Sequence, residues 1–209
     1  SAISAIAGDG YIDLAWNEPT SGVELSVEYH DGVLTNAFYF YANLESGFGH
    51  GTKFEVTGGF DLLAASVKIL SEGDPYYPWP NTTHGPVDIL IYNDINGLPG
   101  DLLWQGSATA EAGWATVNPS LYGLMDAFYV IVSHEEDWST GGDPEGFGID
   151  DGVNYPDNMI TYSEFNWYYG DYLGYGGDYM LSALVNSYSG GVELIASGDE
   201  QPDYSGIEI

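Results

Sequence analysis

Glycine and proline interrupt this chain so often that long helices have little room. The 209 residues include 29 glycines and 10 prolines, and the apolar segments between them are short. Residues 11–16 and 23–29 alternate apolar and polar side chains, which is the two-residue period of a strand. Aromatic residues make up 15% of the chain, and they too favour strands. The sequence therefore predicts an all-β fold, an antiparallel β-sandwich of jelly-roll type with extended terminal strands.

Individual strands can be placed from their apolar runs. Residues 87–92 form a strong strand candidate, and residues 128–133 are apolar on both faces, as expected for a central strand. Residues 52–57 form a further strand, and residues 62–70 are the longest apolar run and are assigned to strand because of their β-branched residues. The segments 71–86 and 135–158 have no regular pattern and are predicted to be loops.

The length fits one sandwich domain with short appendages. We expect an N-terminal segment of strands over residues 1–22, which serves as a docking or strand-donating segment. The sandwich itself is predicted over residues 23–190. Residues 191–209 form a C-terminal strand segment, in which residues 204–209 alternate apolar and polar side chains.

The charge balance excludes several partners. There are 32 acidic residues against two cationic ones, Lys53 and Lys68, which leaves a formal charge of -30. Nucleic acid and anionic membrane surfaces are excluded as partners because binding them requires cationic side chains. The charge must be offset by solvent cations, a bound divalent metal, raised carboxylate pKa values or a cationic partner. The absence of cysteine excludes disulfides and thiol catalysis.

Two parts of the chain carry a family resemblance. Leu14, Trp16 and Pro19, at their spacing, resemble the first two strands of a fibronectin type III domain. Further on, the sequence is similar to a jelly-roll module of large secreted bacterial multidomain surface proteins. That similarity is carried by Tyr29-His30-Asp31-Gly32, the run from Ile91 to Gly100, Gly113-Trp114, Phe128-Tyr129-Val130 and Gly177-Asp178-Tyr179-Met180. The resemblance implies an extracellular accessory, adhesive or structural role and no catalytic residues.

Calcium is the one cofactor that the sequence suggests. Asp94-Ile95-Asn96-Gly97 resembles the start of a calcium loop, although Gln105 stands where an EF-hand requires glutamate. The alternative is a strand-connecting turn held by side-chain hydrogen bonds. The acidic 135–158 segment offers a second set of oxygen ligands for calcium: Asp143, Glu145, Asp150, Asp151 and Asp157. The alternative interpretation of this segment is a solvated acidic loop.

Aromatic clusters give a second kind of candidate site, a stacking platform for sugar rings. Their alternative is sandwich core or a subunit interface. The clusters comprise Tyr76, Tyr77 and Trp79, and Trp167, Tyr168, Tyr169 and Tyr172. Asn81 begins a glycosylation sequon. The four histidines have no zinc-ligand spacing, and no Gly-x-Ser-x-Gly nucleophile motif occurs, so we expect no enzyme activity.

Together these features predict an extracellular structural protein that forms a homopolymer, such as a filament, fibre or surface layer. Copies would associate by β-strand addition, with residues 1–7 or 204–209 as the donor. The alternative is a carbohydrate-binding or adhesin module of a secreted multidomain protein.

Overall fold

The computed structural model describes residues 3–8, 11–16, 22–39, 48–75, 85–133, 146–150, 157–169 and 177–188. These ranges contain antiparallel strands and no helix, so the predicted all-β class is confirmed, and none of them holds a helix that could span a membrane. The strands are β1 (Ile3–Gly8), β2 (Tyr11–Trp16), β3 (Val23–Glu28), β4 (Asn36–Tyr39), β5 (Gly49–Lys68), β6 (Pro86–Ile95), β7 (Leu98–Thr109), β8 (Trp114–Val117), β9 (Leu121–Ser133), β10 (Gly146–Ile149), β11 (Met159–Ser163), β12 (Asn166–Tyr169) and β13 (Leu181–Ser187).

The first two strands form a hairpin of their own. β1 pairs with β2 from Ile3 opposite Trp16 to Gly8 opposite Tyr11. Residues 3–8, which include most of the predicted N-terminal donor segment, therefore already have a strand partner within the chain.

β5 organises the main sheet because it is 20 residues long and pairs with four other strands. Its first half lies in the order β12-β11-β5-β9-β6-β7, and its second half pairs with β13 on one edge and β8 on the other. The prediction of two separate strands over 52–57 and 62–70 is wrong. Gly58 and Gly59, which lie between those two segments, sit in an irregularity of one continuous strand.

β10 corrects the second loop prediction. Gly146–Ile149 lies inside the 135–158 segment, yet it pairs with β4, and Phe147 bridges Ile69. All four β10 residues are buried. A strand that is buried on both faces has no alternation of polarity, and here two glycines also dilute the apolar signal.

The core lies on both faces of the central strands. The main cluster includes Phe54, Phe60 and Phe128. The Phe128 ring centroid lies 5.3 Å from that of Phe54, with the rings stacked, and 5.3 Å from that of Phe60, with the rings tilted. A smaller cluster of Leu90, Tyr129, Ile131 and Ile160 lies on the other face, with Tyr92 and Trp167 packed against it. The prediction that residues 128–133 form a central strand with two apolar faces is confirmed. The result is a β-sandwich-like arrangement. The face that carries the smaller cluster, called the outer face below, also carries polar groups.

Candidate functional site

An open cleft of about 710 Å³ lies where β5 and β9 lose their regular pairing, beside the β6–β7 turn. Its size falls within the range of small-molecule binding sites, roughly 300–1,000 Å³. Strand residues and the turn contribute its lining, which consists of Tyr29, Lys53, Glu55, Val56, Thr57, Asp94, Gly97, Met125, Asp126 and Ala127.

The pairing irregularity shapes this cleft. Val56 lies opposite Asp126, and the next pair is Gly59 with Met125, so two residues of β5 have no partner on β9. Gly58 has a φ of 79° and Asp126 a φ of 59°, a left-handed conformation that side-chain-bearing residues other than Asn and Asp rarely adopt. Bulges of this kind redirect side chains, and here Asp126 becomes part of the cleft wall.

Lys53 is the cation of the cleft. Its Nζ lies 2.8 Å from Glu55 Oε1 and 3.7 Å from Asp94 Oδ2, and its side chain is 17% exposed. Burial works against the charged amine, but the hydrogen bond to Glu55 and the nearby Glu55 and Asp94 charges outweigh it and raise the pKa of Lys53. The lysine therefore stays protonated throughout the physiological range.

The backbone of Lys53 is fixed from a second direction. Its N–H donates to the Asn158 carbonyl at 2.7 Å, and Asn158 Nδ2 donates back to the Lys53 carbonyl at 3.2 Å. Asn158 is itself buried. The lysine is thus held at the backbone and at the ammonium group.

Asp94 connects the turn to the core. Its Oδ1 accepts the Gly97 N–H at 2.9 Å, and its Oδ2 accepts the Tyr129 hydroxyl at 2.8 Å. The Tyr129 hydroxyl also lies 2.9 Å from the Tyr169 hydroxyl. Burial, followed by these two hydrogen bonds, raises the pKa of Tyr129 far above its ordinary value.

Two predicted calcium ligands lie at the β6–β7 hairpin: Asp94 near the end of β6, and Asn96 in the turn itself. Asn96 and Gly97 have φ values of 58° and 83°, as in a two-residue Asn-Gly hairpin turn. The hydrogen bond that the Gly97 N–H donates to the Asp94 side chain is the one that the turn alternative requires. Calcium binding by this pair stays a prediction.

Part of the predicted aromatic platform lies on the second core cluster. The ring centroids of Trp167 and Tyr162 are 4.5 Å apart, and those of Trp167 and Tyr92 are 6.2 Å apart. Trp167 and Tyr168 are half-buried, and Tyr169 is 41% exposed. The residues Tyr76, Tyr77, Trp79 and Tyr172, with the sequon residue Asn81, lie outside the described residues.

Asp150 is buried and forms part of a second polar cluster. Its Oδ2 accepts the Asp31 N–H at 2.6 Å and its Oδ1 accepts the Asp178 N–H at 3.3 Å. Burial raises the pKa of Asp150 despite these two donors. Nearby, burial lowers the pKa of His30, whose Nε2 is 3.9 Å from Glu28 Oε2.

Neither this cluster nor the cleft has a set of metal ligands among the described residues. Within the ranges that the structure describes, no group of three or more histidine and carboxylate side chains is arranged to hold a metal ion. Asp157 is exposed, and Asp143, Glu145 and Asp151 lie outside those ranges. The calcium prediction for the acidic segment is therefore untested.

The sequence did not single out the residues at the centre of the cleft. Lys53 and Asp126 belong to no motif, and they meet Asp94 only because β5, β9 and β6 are neighbours. The one available signal was that Lys53 is one of two cations in the chain. Comparison with protein-family models, curated proteins and solved structures found no match.

Proposed function

We propose that this chain is an extracellular, non-enzymatic structural protein, a subunit of a filament, fibre or surface layer that polymerises by β-strand addition. The observation that carries the proposal is the open edge of β7. This strand runs for 12 residues, Leu98–Thr109, and pairs with β6 alone among the strands that the structure describes. A long strand with one unpaired edge is a template for a strand from another chain.

β7 is also poor in charge. One of its 12 residues is acidic, Asp101, in a chain with 32 acidic residues among 209. Leu98 and Leu102 are 40% and 47% exposed. Backbone pairing needs no opposite charges, so copies that each carry a charge of -30 can approach along a strand that has few acidic side chains of its own.

The donor that we favour is the segment 204–209, Tyr-Ser-Gly-Ile-Glu-Ile, which alternates like a strand and lies outside the described residues. The alternative donor, residues 1–7, is less suitable because β1 already pairs with β2. Donor and acceptor are then different surfaces of one molecule. Such head-to-tail contacts need not close, and they propagate into fibres.

Sedimentation velocity and electron microscopy of the purified chain test this proposal. We expect the full chain to polymerise and a variant lacking residues 204–209 to remain a folded monomer. Ser107→Glu should also reduce polymerisation, because it adds a negative charge to the exposed side of β7. Asn118→Glu is the matched control, since it adds the same charge to an exposed loop residue.

Three outcomes count against strand addition at β7. A full chain that stays monomeric at all concentrations rejects assembly altogether. Polymers of the truncated chain reject residues 204–209 as the donor. Equal polymerisation of the Ser107→Glu and Asn118→Glu variants rejects β7 as the acceptor.

A second candidate function is a carbohydrate-binding or adhesin module. It is supported by the cluster of Trp167, Tyr162 and Tyr92 on the outer face and by the neighbouring polar cleft. Sugars are held by flat apolar surfaces together with a few placed polar groups. A glycan array probed with the full chain tests this candidate.

A further inference from the structure

We infer that the cleft between β5, β9 and the β6–β7 turn binds a neutral saccharide, whose hydroxyl groups contact Lys53, Glu55 and Asp126. This inference rests on the second candidate function, and it names the site and the class of ligand. It is carried by the cavity itself and by the mixture of groups that its walls present.

The polar groups of the cleft both donate and accept hydrogen bonds. The Lys53 ammonium has three N–H donors; Glu55 accepts one at 2.8 Å, and Asp94 Oδ2, at 3.7 Å, is beyond hydrogen-bonding distance. Glu55 is 53% exposed, so it has further oxygen lone pairs facing solvent. The Asp126 side chain is exposed and forms part of the cleft wall. A sugar hydroxyl donates and accepts at once, and it can bridge such a donor and acceptor.

The charge of the cleft selects against ionic ligands. Three carboxylates, those of Glu55, Asp94 and Asp126, accompany the single ammonium of Lys53, so an anion is repelled here and by the net charge of -30. A cation would have to compete with Lys53, which already occupies the position between Glu55 and Asp94. A neutral ligand meets neither obstacle.

The wall also has an apolar part. Met125 is 61% exposed and stands beside Asp126 and Ala127 in the lining. A thioether side chain is soft and adapts its shape to an apolar surface. It suits the C–H face of a sugar ring, while the carboxylates and the ammonium take the ring's edge.

The cleft is held in shape before any ligand arrives. The Lys53 backbone is held by two hydrogen bonds with Asn158, one to its carbonyl and one from its side-chain amide, and the Glu55 N–H donates to the Tyr29 hydroxyl at 3.2 Å. Asp94 is fixed by the Gly97 N–H and the Tyr129 hydroxyl. Pre-organised groups lose less entropy on binding, which matters for a weakly binding ligand such as a sugar.

The test begins with an array that carries neutral, sialylated or sulfated, and glucosamine oligosaccharides, probed with the full chain. The neutral glycan that binds best is then measured by titration calorimetry against three variants. Asp126→Asn removes a charged acceptor, and asparagine tolerates the left-handed backbone there. Lys53→Met removes the donor at similar size, and Asp101→Asn, an exposed change on β7, is the matched control.

We expect Asp126→Asn and Lys53→Met each to weaken binding by about tenfold or more, the loss of one charge-assisted hydrogen bond, and Asp101→Asn to leave it unchanged. Circular dichroism checks that Lys53→Met is folded. If it is not, the affinity of Asp126→Asn alone tests whether the cleft is the site. If all three variants bind the glycan with the affinity of the wild-type chain, the cleft is rejected as the site, although the chain still binds a glycan elsewhere. Binding of charged glycans alone rejects the neutral ligand, and binding of no glycan rejects the carbohydrate-binding function as well.

Discussion

Replacing Tyr129 with phenylalanine tests whether the Asp94 hydrogen bonds stabilise the fold. The Tyr129 residue is fully buried, and its hydroxyl donates to the Asp94 carboxylate at 2.8 Å and lies 2.9 Å from the Tyr169 hydroxyl. β12, which carries Tyr169, does not pair with β9, which carries Tyr129. The contact between the Tyr129 and Tyr169 hydroxyls therefore joins two strands that are not paired in the sheet, and the hydrogen bond to Asp94 ties the end of β6 to its neighbour β9.

The expected loss follows from the kind of bond removed. A hydrogen bond to a charged group contributes about 1.5–3 kcal/mol. Asp94 is 23% exposed and Tyr169 is 41% exposed, so water replaces part of what Tyr129→Phe removes. We therefore expect a loss near the lower end, about 1.5–2 kcal/mol. With a urea m-value of roughly 3 kcal/mol/M for a chain of this size, the unfolding midpoint falls by about 0.5–0.7 M.

Urea unfolding followed by tryptophan fluorescence measures this loss. Tyr122→Phe is the control because Tyr122 is 73% exposed, and its change should stay within about 0.5 kcal/mol. Tyr169→Phe alone should cost little, and adding it to Tyr129→Phe should cost almost nothing more. If Tyr129→Phe and Tyr122→Phe have the same midpoint, the hydrogen bonds of Tyr129 do not hold the turn and β12 in place.

Two further predictions concern stability. Gly51→Ala should destabilise the fold by about 2–3 kcal/mol, because the new Cβ would collide with the carbonyl oxygen of Val130. Gly59→Ala is the control, since a Cβ there would meet its neighbours at 3.4 Å or more. Equal melting temperatures of the two variants would contradict this reasoning. Burial raises the pKa of Asp150, so the folded state binds a proton on this carboxyl more tightly than the unfolded state does. The resulting stabilisation is complete below the unfolded pKa of about 3.9 and is lost as pH rises through the folded pKa. Urea unfolding measured from about pH 4 to pH 7 should therefore show the free energy of unfolding falling more steeply with pH for the wild-type chain than for Asp150→Asn. Parallel profiles would mean that the pKa of Asp150 is not raised.

The fold class was predictable because strand periodicity is a local signal. Residues 87–92 are mostly apolar and rich in β-branched residues, and they lie within β6 as expected. Glycine occurs both at turns and at bulges, so Gly58 and Gly59 between the two predicted strands are compatible with either, and only the partner strand distinguishes the two. β10 was missed because a strand buried on both faces gives no alternation of polarity.

The cleft was not predictable for a different reason. Asp94 was recognised as an oxygen ligand, and its local role in the turn follows from the Asn-Gly dipeptide that comes two residues later. Its contacts with Tyr129 and Lys53 depend on which strands are neighbours and on their register. A single residue of slip in β9 would turn Tyr129 to the opposite face, so no local pattern could have placed these three side chains together.

The positions of the two lysines bear on how copies of this chain can associate. Lys68 Nζ lies 2.7 Å from Asp74 Oδ2, and Lys53 lies 2.8 Å from Glu55. Both cations of the chain are thus paired internally, and neither is left to form an ion pair with a neighbouring copy.

Contacts between copies must therefore use strands where acidic side chains are sparse, with solvent cations screening the rest over about 10 Å at 0.1 M salt. Seven other described strands also pair with a single strand, and each is only four to six residues long: β1, β2, β3, β4, β8, β10 and β12. β7 combines 12 residues with a single acid. The internal pairing of the lysines is thus a reason, independent of the exposed leucines, to expect strand addition at β7.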